Sequence, residues 1–95
     1  MKVKNKKGTG DLTCKCDSWI DHWNTYSGGS LQIQCCVLGC TNLVDVGAHV
    51  IKQDSNDLKT YIVPFCHSCN QTEDTVFILN SGTKLASANV SDTCG

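Results

Sequence analysis

At 95 residues the chain has room for one domain, and with only six aromatic side chains the core it can bury is modest. A net charge of −1 conceals an uneven spread: Lys2, Lys4, Lys6 and Lys7 open the chain, leaving four lysines against nine acids elsewhere, with no arginine. That balance excludes a body built to grip duplex DNA unaided, since phosphate recognition draws on basic stripes and bidentate guanidinium groups. No segment is apolar for long enough to span a bilayer.

Residues 1–13 read as a flexible basic arm, loosened by Gly8 and Gly10. It is either a solvated tail or an arm for nucleic acid. Residues 14–95 read as a single domain. Within C-K-C-D-S-W-I-D-H-W-N-T-Y-S-G-G, Asp17 or Ser18 can cap a helix whose Trp19, Trp23 and Tyr26 share one face, and Gly28 and Gly29 end it. The two tryptophans are expected to pack on a metal-centred core. L-Q-I-Q-C alternates, which predicts a strand carrying Leu31, Ile33 and Cys35 on one face.

After Cys40, T-N-L-V-D-V-G-A-H-V-I-K is rich in β-branched residues, with Gly47 marking a bulge or a close approach of another backbone. The turn chemistry of Asp54 to Asp57 and the run K-T-Y-I-V-P-F complete a predicted hairpin. A second helix is predicted from near Cys69 through Q-T-E-D-T-V-F-I-L, stopped by Asn80, Ser81 and Gly82. The tail is polar and carries Cys94 next to its last residue.

A small core calls for metal or disulfides, and eight cysteines can supply either. The opening M-K-V-K-N-K-K has no apolar leader, so the expected compartment is reducing, intracellular and cytoplasmic, where Cys-x2-Cys pairs are metal ligands more often than disulfides. Cys35 with Cys40, and Cys66 with Cys69, are two pairs at a separation that lets four thiolates close on one tetrahedral Zn²⁺. Knuckle, hairpin and a helix carrying the second pair make a small α+β treble-clef domain, here with an added N-terminal helix. Cys14, Cys16, His22 and Cys94 form a possible second zinc set that would tie the chain's end to the first helix. Cys36 has three readings: a substitute for Cys35, a member of the second site, or a small buried apolar residue.

The segments C-C-V-L-G-C, G-A-H-V-I and Y-I-V-P-F-C-H-S-C-N, spread over Gln34 to Asn80, resemble the zinc-bearing core of HNH endonucleases. The resemblance implies a general base at His49 and a Mg²⁺-like ion held in part by Asn70. Two other positions depart from that pattern: Ala48 stands where the family has a metal-binding Asp, and Tyr61 about where it has an orienting Asn. Asp45 and Asp57 are the nearby carboxylates that could substitute. His49 also has a plain structural reading, an imidazole bonded to backbone near the zinc ligands. The leading expectation is therefore a zinc-binding recognition module for protein or nucleic acid, with no small-molecule cofactor. A Mg²⁺-dependent nuclease is the alternative. A thiol-disulfide protein is a third reading, because Cys66-His67-Ser68-Cys69 behind Pro64 looks like a dithiol motif, but the βαβ context of such motifs is missing.

Overall fold

The computed structural model describes residues 1–6, 8, 13–28 and 32–93, with the side chain of Asp92 left aside. Among the described residues five strands form one antiparallel sheet: β1 (Lys2–Asn5), β2 (Val46–Lys52), β3 (Thr60–Phe65), β4 (Val76–Ile78) and β5 (Ala86–Ser87), in the order β4-β1-β2-β3-β5. Helix α1 (Trp19–Tyr26) precedes β2, helix α2 (His67–Gln71) follows β3, and a 3₁₀ turn spans Val90–Asp92.

The predicted hairpin is the centre of the sheet, with Ala48 opposite Val63 and His49 opposite Ile62. Successive side chains of a strand point to opposite faces, so this register divides the molecule into two layers. On one face Val3, Ala48, Val50, Val63 and Phe65 pack with Cys35, Cys36, Cys66 and Leu79. Phe65 is fully buried and meets Phe77 edge-on at 5.4 Å between ring centroids. On the other face Trp23 packs on Ile62 and Ala86, flanked by Trp19 and Ile20.

Helix α1 starts where its cap predicts. Ser18 Oγ accepts from Asp21 N at 3.2 Å, and the helix ends before Gly28, whose φ of +71° suits a residue without a Cβ. Its tryptophans lie elsewhere than expected, on the sheet face opposite the four paired cysteines, and Tyr26 is 38% exposed. Gly47 is the close-approach site: a Cβ there would overlap the Trp19 carbonyl and stand 2.7 Å from Ile20 N.

Three further sequence expectations are corrected. The start of the basic arm is strand β1, which pairs with both β2 and β4 and buries Val3 completely. K-V-K-N alternates over four residues, enough for one inward apolar side chain while the lysine stems run along the sheet. Residues 7 and 9–12 of that arm lie outside the described residues. The second helix is short: α2 ends at Gln71, Asp74 takes a φ of +57°, and Val76–Ile78 is β4. There the β-branched run finds a strand partner in β1, and sheet pairing overrides helical spacing. The strand expected at Leu31 to Cys35 is reduced to one bridge, Gln34 to Leu43, and Ile33 is 70% exposed, while Leu31 is outside the described residues.

Candidate metal centres

Cys35 and Cys40 are presented by a tight turn. Cys40 N donates to Val37 O at 3.0 Å, Gly39 sits at φ +82°, and Cys35 N donates to Asn42 O at 2.9 Å. Cys66 ends the β3 side and caps α2, accepting from Cys69 N at 3.4 Å, so the last two thiols lie on one helical turn. The four sulfurs all come within 4.8 Å of one another, and Cys40 and Cys66 are 3.9 Å apart. Tetrahedral Zn–S bonds of about 2.3 Å would put sulfurs about 3.8 Å apart, so the donor set fits the ion in number, softness and spacing. None of the four is in a disulfide.

Electrostatics fit as well. Burial raises the Cys35 thiol, and burial together with the Cys66 sulfur raises Cys69. Burial also works against ionising Cys66, but the Cys69 N–H and the Asn42 amide, 3.7 Å from its sulfur, outweigh it and bring the thiol down to about 7. A bound dication would favour the thiolate form that zinc ligation requires. Cys36 stands apart from this cluster: it is buried in the core, its N–H donates to Pro64 O at 3.0 Å, and burial and Cys35 push its thiol up to about 12. Of its three readings, the geometry matches the small apolar core residue.

Two supporting residues had no sequence signal. Asn42 reaches Cys66 across the turn, and Asn5 Nδ2 donates to both Cys69 O and Thr72 O at 2.8 Å, gripping the end of α2 from β1. The second partnership joins residues more than sixty positions apart, which no local pattern reveals.

A second cluster holds Cys14, Cys16 and His22, whose ligand atoms also lie within 4.8 Å of one another. Cys94, the fourth member expected for that set, is outside the described residues.

His49 and Asn70 are not brought together. His49 shares its sheet face with α1, is 7% exposed, and stands edge-on to Trp19 at 4.4 Å between ring centroids. Its Nε2 has no hydrogen-bond partner among the described residues. Burial, then His22 and Lys6, lowers its pKa to about 4. Asn70 is exposed on α2, which packs by Cys66 and Cys69 on the opposite face. Ala48 is buried in the core. The two nearby carboxylates have partners of their own: Asp45 accepts from His67 N at 3.0 Å, and Asp57 accepts from Lys59 N at 3.0 Å and from the Tyr61 hydroxyl.

Comparisons with protein-family models, with curated proteins and with solved structures find no match to this chain. The geometry supports a small α+β domain with two Cys/His clusters compatible with structural metal. Among the described residues no helix is long and apolar enough to cross a membrane.

Proposed function

We propose that this chain is a zinc-stabilised treble-clef domain, HNH-like in fold, that serves as a recognition module for protein or nucleic acid. The observation that carries this reading is the convergence of four sulfurs from a knuckle and from the first turn of the helix that follows the hairpin. Cys35, Cys40, Cys66 and Cys69 would hold the ion, and its contribution when bound is a cross-link between knuckle and helix that the small core cannot supply. Four sulfurs in mutual reach also favour metal over dithiol exchange, which needs only two.

Recognition is favoured by the surface around the knuckle. Ile33, Leu38 and Leu43, all in the segment around Cys35 and Cys40, are 70, 59 and 63% exposed. Leu43 also lines a cleft of about 390 Å³ with Asn42, Asp45, Cys66, His67 and Ser68. Apolar side chains exposed in one region mark contact surfaces more often than isolated ones do. Nuclease chemistry with His49 as general base is the second reading, and the burial of His49 away from Asn70 speaks against it.

A nicking assay with Mg²⁺ or Mn²⁺ on single-stranded DNA, duplex DNA and RNA separates the two, run beside His49→Ala. No cleavage by either protein, with zinc bound in native mass spectra, is the expected result. Cleavage by the wild type that disappears in His49→Ala would make the protein a nuclease.

A further inference from the structure

We propose that Cys14 Sγ, Cys16 Sγ and His22 Nδ1 bind a second Zn²⁺ on the sheet face opposite the four-cysteine cluster. His22 decides the matter. It is fully buried, and its Nε2 lies 2.8 Å from the carbonyl oxygen of Ser87 on β5. A carbonyl can only accept, so Nε2 carries a proton, and in the neutral ring Nδ1 then offers its lone pair. That nitrogen is 3.9 Å from Cys16 Sγ.

The ring is also held in place. Trp19 and Tyr26 each lie 4.9 Å from it, centroid to centroid, one helical turn to either side. Metal-bound imidazoles characteristically donate their other N–H to a carbonyl or carboxylate, the arrangement present at Ser87. Tetrahedral bonds of about 2.0 Å to nitrogen and 2.3 Å to sulfur separate the two donors by about 3.6 Å, within a few tenths of the observed spacing. Two thiolates and a neutral imidazole balance a dication, and this soft, nitrogen-containing set suits Zn²⁺ and disfavours Mg²⁺ or Ca²⁺. Water would take the fourth position.

The site would add a metal link to three pieces that hydrogen bonds already connect, Cys14 to Ser18 at the start of α1 and His22 to Ser87 on β5. Residues 14–16 would be clamped to α1 through His22, and α1 to β5 through the Ser87 carbonyl. That places the second ion under the helix that covers Gly47 and His49, and makes it independent of the knuckle.

The test is ¹¹³Cd titration of the full chain, followed by cadmium NMR and long-range ¹H–¹⁵N spectra of the histidine rings. Two cadmium ions per chain are expected, one resonance typical of four sulfurs and one shifted upfield by a nitrogen ligand, with His22 metallated at Nδ1 and protonated at Nε2. Cys14→Ser and His22→Gln should each remove only the upfield resonance, taking the stoichiometry from two to one. A single four-sulfur resonance in the wild type, or a His22 ring unchanged by cadmium, would overturn the proposal. The wild-type ring spectrum answers the question even if a variant does not fold. Loss of the four-sulfur signal alone would instead count against the knuckle site.

Discussion

Gly47 on β2 lies directly against the backbone of Trp19 at the start of α1, so closely that the missing Cβ is the reason the helix can seat on the sheet. The obstruction to any side chain is main chain, which cannot rotate away. Gly47→Ala is therefore expected to destabilise the domain by about 2–3 kcal/mol, the upper part of the usual overpacking range. Urea denaturation measures this. A change below about 0.5 kcal/mol, the level of an ordinary surface substitution, would mean α1 is not pinned at this point.

Asn5→Ala tests the link between β1 and α2. The substitution leaves the Cys69 and Thr72 carbonyls without the amide that serves both. Losing these bonds should cost about 1–2 kcal/mol. Because Asn5 orients the turn that presents Cys69, zinc affinity is expected to fall roughly 10- to 100-fold, as for other outer partners of metal ligands. Competition with a chromophoric chelator reads the affinity, and an unchanged value would make Asn5 a purely packing residue.

Acid should weaken the fold through His49. Burial, the largest cause, lowers its pKa from 6.5 to about 4. With the folded value below the unfolded one, the unfolded chain binds the extra proton, so stability is full above about pH 6.5 and is lost as pH falls towards 4. A Zn²⁺ on His22 would act in the same direction. The window is worth roughly 3 kcal/mol. Comparing wild type with His49→Gln isolates it, because thiolate protonation affects both proteins alike. The wild type should lose stability relative to the variant as pH falls, and parallel curves would refute the assignment.

Leu38→Ser combined with Leu43→Ser should separate stability from recognition. Both side chains are more than half exposed, so the fold is expected to change by no more than about 0.5 kcal/mol for each. Peptide display and labelled oligonucleotides, screened on the wild type, supply ligands. Binding should weaken at least tenfold in the double variant. Retained binding would move the recognition surface away from the knuckle.

Much of the architecture follows from neighbours in the chain. Ser18 can cap a helix because its hydroxyl meets the N–H three residues on, and Trp19 and Trp23 share a face because they are one turn apart. The hairpin of β2 and β3 follows from β-branched runs around a turn, and the thiol pairs from spacings that a tight turn and a helical first turn impose. Strands β1 and β4 depend on a different scale. Lys2 pairs with Ile78, and neither four residues of alternating lysine nor a three-residue apolar strand is stable until the chain has closed between them.

Tertiary structure alone also decided which face each residue meets. His49 lies one position from Ala48, yet the pleat sends it under Trp19 while Ala48 joins the cysteine core. The sequence determined the chemistry available to this protein, the thiols and imidazoles and their local turns. The sheet decided which of them meet, because alternation sorts neighbours onto opposite faces and only long-range register says what covers each face.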